Sequence, residues 1–86
     1  MADNTFNGYE SYDHWQTALW INNDQRFYNM LKNKAELVVY MTYTLSQAAK
    51  ELLSELPDVT PDGAKWEIDT IYDLVSEQYE EQLQYS

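Results

Sequence analysis

Residues 11 to 17 hold the side chains that acid–base or nucleophilic catalysis would need. His14 is the only histidine among the 86 residues, and there is no cysteine to act as a nucleophile beside it. Asp13 adjoins His14, but neighbours along a helix do not face each other. A Ser–His–acid arrangement would need Ser11 or Thr17 aligned with His14 and a carboxylate, and nothing in the sequence specifies that alignment. We therefore expect His14 to cap or pack, and the protein not to be an enzyme.

The sequence gives no signal for a metal or a cofactor. Gly8 and Gly63 stand alone, so there is no glycine-rich loop of the kind that cradles phosphate. The stretch DVTPDG at 58–63 is faintly similar to a calcium loop, but it lacks the alternating oxygen ligands and the closing bidentate glutamate. We expect neither a metal site nor a bound cofactor.

The net charge of −10 is concentrated in the second half of the chain. Residues 1–50 carry five acids and four bases, whereas residues 51–86 carry ten acids and one base, Lys65. Such a segment repels phosphate and is attracted to basic surfaces. We therefore expect no direct binding to nucleic acid or to an anionic membrane, and a protein partner with a basic surface.

The acids of the last segment follow a helical spacing. At about 100° per residue, Asp69, Asp73, Glu77 and Glu80 fall within an arc of about 80°, and Glu81 flanks it. Successive carboxylates rise ~5–6 Å per turn, which is close to the ~6–7 Å between neighbouring phosphates of one strand.

Two interpretations of this row compete. A polar outer face that keeps a small protein soluble is one, and imitation of a nucleic-acid backbone is the other. Like charges four residues apart destabilise a helix by ~0.2–0.5 kcal/mol per pair, which favours a use for the row. The partner-binding surface predicted from the sequence comprises Glu51, Glu55, Asp58, Asp62, Asp69, Asp73, Glu77, Glu80 and Glu81.

Hydrophobic periodicity predicts that helices position these residues. Ser11 is a good N-cap for a first helix over about 12–22, with a buried stripe of Tyr12, Trp15, Leu19, Trp20 and Ile21. A second helix over about 24–32 would bury Phe27, Met30 and Leu31. The third runs over about 34–56, with a strand at 36–44 as the alternative, and Pro57 ends it.

The last helix is expected to begin at Thr60–Pro61, as an N-cap and first position, or at about residue 65. Its apolar positions would be Ile68, Ile71, Tyr72, Val75, Tyr79 and Leu83. We predict an all-α fold, a small bundle of three or four helices. Residues 1–86 would form a single helical domain, with an N-terminal arm at 1–10 and a loop at 57–64.

The thirteen aromatic side chains are expected to supply much of the core in a chain without disulfides. Trp15, Trp20 and Trp66 have helical spacing typical of core residues. Not all of the tyrosines can be buried, and exposed ones suit a protein interface or self-association. The tyrosines least easily buried are Tyr9, Tyr28, Tyr40, Tyr43 and Tyr85.

The stretch NGYESYDHWQTALWINND at 7–24, followed by FYNM, resembles the N-terminal signature of a small protein family encoded by bacteriophages, prophages and plasmids. The matching residues are Asn7, Gly8, Tyr9, Tyr12, Asp13, Trp15, Leu19, Trp20, Asn23, Asp24 and Tyr28. TPDGAKW at 60–66 is also similar to a segment of some members. The resemblance covers about a third of the chain and implies an accessory protein of a mobile element, with no catalytic residue to carry over.

Small acidic phage proteins include inhibitors of CRISPR and restriction systems, and several of these imitate nucleic acid. By this analogy of class we expect a non-enzymatic inhibitor in the bacterial cytoplasm, whose partner is a host defence protein or ribonucleoprotein complex with a basic surface. The alternative is a structural interaction module, for example a homodimer joined through the aromatic first helix. The longest apolar run, LVVYM at 37–41, is far shorter than the ~20 residues that span a bilayer, so we expect no membrane partner.

Overall fold

The structure, a computed structural model, describes residues 8–84. Within that range the chain forms four helices and no strand. They are α1 (Tyr12–Asn23), α2 (Gln25–Tyr40), α3 (Leu45–Glu55) and α4 (Ile68–Gln84). The predicted all-α bundle is confirmed, and the alternative strand at 36–44 is wrong because α2 continues to Tyr40.

One residue, Asp24, joins the first two helices. Its backbone N–H donates to the carbonyl of Trp20 at 2.9 Å and closes α1. Its carboxylate accepts from the backbone N–H groups of Arg26 at 2.9 Å and Phe27 at 3.5 Å, which caps α2. The predicted first helix and its Ser11 cap are confirmed, and the side chain of Ser11 accepts from the N–H of His14.

The predicted break between a second and a third helix, at 32–34, is wrong. α2 continues to Tyr40, and the chain turns instead at 41–44. No Gly or Pro interrupts Lys32–Asn33–Lys34. The turn ends in a capping box: Gln47 N–H donates to Thr44 Oγ1 at 3.1 Å, and Thr44 N–H donates to Gln47 Oε1 at 2.9 Å. Thr-x-x-Gln was the signal in the sequence that marked this helix start.

The last helix begins at Ile68, so the predicted starts at 60 and 65 are both wrong. Thr60 is buried and closes a turn rather than a helix. Its hydroxyl accepts from Ala64 N–H at 2.9 Å, and its own N–H donates to the carbonyl of Ala64 at 2.8 Å. Gly63 has φ +88°, which suits glycine and terminates any helical path. The connection between α3 and α4 therefore spans residues 56–67.

The core lies where α2, α3 and α4 meet. Trp66, on the connection, packs its ring edge-on against Phe27 with centroids 5.4 Å apart. Burial of aliphatic side chains around this pair holds the bundle together. The buried cluster contains Ile21, Phe27, Leu31, Ala48, Ala49, Leu52, Leu56, Trp66, Ile71, Leu74 and Val75.

The buried face of α1 differs from the predicted stripe. Trp15, Leu19 and Trp20 are only half-buried and Tyr12 is exposed. The fully buried positions are instead Gln16, Thr17, Ala18 and Ile21. Two of these are polar because α1 docks through hydrogen bonds onto the 56–67 connection, a partner that hydrophobic periodicity does not register.

The buried face of α4 is also rotated from the prediction. Ile71 and Val75 are buried as predicted, whereas Tyr72 and Leu83 are exposed, and Ile68 and Tyr79 are half-buried. The remaining buried positions are Thr70, Leu74 and Gln78. Part of the predicted apolar stripe therefore lies on the solvent side of the helix, next to the acids.

Candidate functional site

The five acids of α4 lie on its solvent side. Asp69, Asp73, Glu77, Glu80 and Glu81 are all exposed, and within residues 8–84 none of them forms an ion pair. At ~1.5 Å rise per residue the row is about 18 Å long. We name these five residues the α4 acidic row. The helix carries no Lys or Arg, so its face presents uncompensated negative charge.

Glu51 and Glu55 differ from the row because they bind a lysine of the same chain. Lys34 Nζ lies 3.3 Å from Glu51 Oε1 and 2.6 Å from Glu55 Oε2. Lys34 itself is only 9% exposed. The two carboxylates therefore hold α3 against α2, and their charge is partly neutralised before any partner arrives.

The ionisation of this cluster follows from its contacts. A hydrogen bond from the Tyr43 hydroxyl, followed by those from Lys34, lowers the pKa of Glu51. The same contact with Glu51 raises the pKa of Tyr43. Burial opposes the charge on Lys34, but its hydrogen bonds to Glu55 and Glu51 outweigh burial and raise its pKa.

Asp58 and Asp62, the other two acids of the predicted surface, lie on the connection between α3 and α4. Both are exposed, and neither forms an ion pair with any residue in the described range. The nine predicted acids thus divide into seven that form no ion pair within residues 8–84 and two that hold Lys34. The lysine partner of Glu51 and Glu55 is 17 and 21 residues away in the sequence, beyond the reach of helical spacing rules.

The structure brings together Ser11, His14 and Glu67, an acid that sequence reasoning did not connect with the histidine. Ser11 Oγ is 2.7 Å from His14 Nδ1, and His14 Nε2 is 3.9 Å from Glu67 Oε1. A catalytic base is ordinarily held within ~2.6–3.2 Å of its partners, so the histidine–carboxylate distance is long for a triad. The Ser11 hydroxyl is also occupied as the cap of α1. These contacts join the start of α1 to the start of α4.

A buried polar network fixes α1 to the connection. Gln16 Oε1 accepts from Trp20 Nε1 at 2.9 Å and from Thr60 Oγ1 at 3.5 Å. Thr17 Oγ1 donates to the carbonyl of Asp13 at 2.8 Å and accepts from the N–H of Glu67 at 3.0 Å. The network therefore places the start of α4, and with it the acidic row, relative to α1.

Several of the residues that carry the family resemblance have structural partners. Trp20 donates to Gln16, Asn23 Nδ2 donates to the carbonyl of Leu19 at 2.8 Å, and Asp24 caps α2. The hydroxyl of Tyr28 accepts from Gln78 Nε2 at 3.2 Å. Gly8 has φ +91°. Asn7 of this motif and Tyr85 lie outside the described residues.

Metal binding and membrane crossing each place their own demands on the side chains and helices of a protein. Among residues 8–84, no group of three or more His, Cys, Asp and Glu side chains is placed to hold a metal ion. None of the helices there combines the length and the apolar character needed to cross a membrane.

Comparison with known proteins gives the chain a family. Neither the curated proteins nor the solved structures contain a match to it. A family model described as "Family of unknown function (DUF7249)" matches residues 2–85, nearly the whole chain. The protein therefore belongs to this family.

Proposed function

We propose that the protein is a non-enzymatic inhibitor of a bacterial defence system, either CRISPR or restriction, of the kind that mobile elements encode. Its α4 acidic row occupies a basic surface with which the target would otherwise bind nucleic acid. The resemblance of residues 7–28 to phage, prophage and plasmid proteins supports the assignment to a mobile element. The observation that carries the proposal is the uncompensated row itself.

The row is costly for the folded protein, which supports a use for it. Asp69–Asp73, Asp73–Glu77 and Glu77–Glu81 are like charges at i, i+4, and each such pair destabilises a helix by ~0.2–0.5 kcal/mol. The bases that form ion pairs lie elsewhere: Lys34 pairs with α3, and Arg26 pairs with Asp24. A surface needed only for solubility would tolerate a base four residues from each acid.

The geometry suits contact with a surface that binds phosphates. Carboxylates spaced along about 18 Å of helix match a track of Lys and Arg side chains, and charge-assisted hydrogen bonds would form along it. Tyr72, 40% exposed on the same solvent side of α4, adds an aromatic contact beside the charges. Long-range attraction would speed association, and the binding would weaken steeply with salt.

The test is the plaquing efficiency of a phage on bacteria that restrict it by a CRISPR or a restriction system. We expect the protein to restore plaquing, and the variant Asp69→Asn, Asp73→Asn, Glu77→Gln to lose that ability. A matched control raises the charge equally at exposed positions of other elements. It carries Asn33→Lys, Thr42→Lys and Ser46→Lys, and we expect it to retain inhibition.

Two outcomes contradict the proposal. One is full inhibition by the α4 variant, since the row would then be dispensable. The other is failure of the unaltered protein to restore plaquing against either kind of defence. Circular dichroism of the α4 variant separates loss of binding from loss of fold, because neutralising like charges should leave the helix content unchanged.

A homo-oligomeric interaction module is the second candidate, and the outer face of α1 favours it. Tyr9, Trp15, Leu19 and Asn22 line a shallow depression of about 190 Å³ there. The three large side chains are exposed or half-buried, as in an interface that awaits a partner. A second copy would cover this face. Mass in solution at low and high salt discriminates, because an apolar dimer persists at high salt whereas charge-driven binding is lost.

A further inference from the structure

A groove runs between α2 and α4. It has a volume of about 320 Å³ and is lined by Tyr28, Lys32, Glu36 and Tyr40 of α2 and by Glu81 and Gln82 of α4, among others. We name it the α2–α4 groove. Water takes ~30 Å³ per molecule in the liquid, so the groove has room for a side chain rather than only a few waters.

The two helices are parallel along the groove, which gives it a negative end. Gln78 Nε2 donates to Tyr28 Oη, and one turn further along both helices Gln82 Nε2 donates to the carbonyl of Lys32, each at 3.2 Å. The carboxyl ends of both macrodipoles therefore lie at the same end of the bundle. Neither helix has a basic residue in its last turn to offset them.

Two carboxylates add to this potential. Glu36 and Glu81 both line the groove, both are exposed, and no ion pair within residues 8–84 uses either of them. A groove with two free carboxylates and two negative helix ends is suited to a cation.

The chain already places a cation there. Lys32 Nζ lies 5.7 Å from the centre of the Tyr28 ring, within the range of a cation–π contact. The second ring of the groove, Tyr40, is 68% exposed and receives no such contact from any residue in the range 8–84. Lys32 is itself exposed, so its long side chain can leave the groove at little cost when another cation enters.

We propose that the α2–α4 groove binds an arginine side chain of a protein partner. A guanidinium is planar and weakly hydrated, so it stacks on a tyrosine ring while it forms paired hydrogen bonds to a carboxylate, whereas a lysine ammonium does neither as well. Tyr40 supplies the ring, and Glu36 and Glu81 supply the acceptors. The site shares only Glu81 with the α4 acidic row and does not require imitation of nucleic acid.

The probe is N-acetyl-arginine amide, titrated into the ¹⁵N-labelled full-length protein and followed by amide chemical shifts. We expect shifts confined to the residues that line the groove. A dissociation constant of about 1–10 mM is expected for a ligand of this size. N-acetyl-lysine amide should bind at least threefold more weakly, and N-acetyl-glutamine amide should produce no groove shifts.

Two variants of equal charge make the test specific. Glu36→Gln with Glu81→Gln should weaken arginine binding about tenfold or more, because both acceptors lose their charge. Asp69→Asn with Asp73→Asn changes the net charge by the same amount outside the groove and should leave the affinity within twofold. Tyr40→Ala should reduce the preference for arginine over lysine.

Three results would overturn the inference. Equal weakening of arginine binding by both double variants would indicate diffuse electrostatic attraction only. Equal affinity for the arginine and lysine probes, or chemical-shift changes outside the groove, would also contradict it. The outcome is separable from that of the proposed function. Arginine binding by the Glu36→Gln, Glu81→Gln variant tests the groove whether or not the protein restores plaquing. The Asp69→Asn, Asp73→Asn variant tests the acidic row and leaves the groove intact.

Discussion

Replacement of Thr17 by valine tests the claim that hydrogen bonds to the 56–67 connection help to hold α1 in place. Thr17 is fully buried, and its hydroxyl accepts from the backbone N–H of Glu67 across 50 residues of sequence. Valine has nearly the same shape and is also β-branched, so the change removes the acceptor and little else. The carbonyl of Asp13 keeps its helical partner, and the carbonyl of Lys65 loses only a long contact of 3.5 Å with the hydroxyl. The N–H of Glu67 is therefore the group that loses a close partner.

The magnitude follows from that one orphaned donor. A buried N–H left without an acceptor costs about 1–3 kcal/mol, and we take about 2 kcal/mol for this partly buried site. A domain of this size has a stability of roughly 4–13 kcal/mol, and 1 kcal/mol shifts its Tm by about 4–8 °C. Thr17→Val should therefore lower the Tm by about 8–16 °C.

The assay is thermal unfolding by circular dichroism, combined with hydrogen exchange at the Glu67 amide. In Thr17→Val this amide should exchange at least tenfold faster, whereas Thr17→Ser, which keeps the hydroxyl, should preserve its protection. The serine variant also loses a methyl group, worth about 1 kcal/mol. The reasoning is refuted if the valine variant is as stable as the unaltered protein, or if the Glu67 amide stays protected in it.

Three further predictions concern stability. Hydrogen bonds from Arg26 lower the pKa of Asp24, and those from Tyr43 and Lys34 lower the pKa of Glu51. The stability that these two groups contribute is complete above their unfolded values of 3.8 and 4.5 and is lost as the pH falls through the folded values. The difference in urea midpoint between the unaltered protein and the variant Asp24→Asn, Glu51→Gln should therefore shrink between pH 7 and pH 3, and a constant difference contradicts this. Gly63→Ala should lower the free energy of unfolding in urea by about 1–2 kcal/mol, because φ is +88° at this position. A Cβ there would meet no neighbouring atom, so the cost comes from the backbone alone. An unchanged free energy of unfolding would mean that the turn tolerates a side chain. Ile71→Ala should cost about 2–5 kcal/mol by the same measurement, because Ile71 is fully buried, with exposed Leu83→Ala as the control.

The sequence predicted the helices more reliably than it predicted their limits and faces. Ser11 and the apolar spacing of α1 were readable because capping and periodicity are local. The turn at 41–44 was misplaced because a long apolar stripe passed through it, although the Thr44–Gln47 capping box marked the start of α3. Thr60 looked like a helix cap because its local motif is the same whether a helix or a turn follows.

Some features of the candidate site could likewise be predicted from local sequence, and others could not. Exposure of Asp69 and Asp73 follows from helical spacing, which the sequence contains. The capture of Glu51 and Glu55 by Lys34 depends on how α2 lies against α3, and the α2–α4 groove depends on two helices lying parallel. Such relations between distant segments are not encoded in any single stretch of sequence.

The contacts that position α1 bear on the order in which the parts of the fold can form. Gln16 and Thr17 find their partners at Thr60 and Glu67, 44 and 50 residues later. On a ribosome these partners emerge after α1, α2 and α3, so the polar face of α1 stays hydrated until the last third of the chain is available. Closing so long a loop costs more chain entropy than the local contacts of a helix do. The polar contacts of the first helix are therefore among the last to form, and a chain truncated before residue 60 would leave the polar face of α1 without these partners.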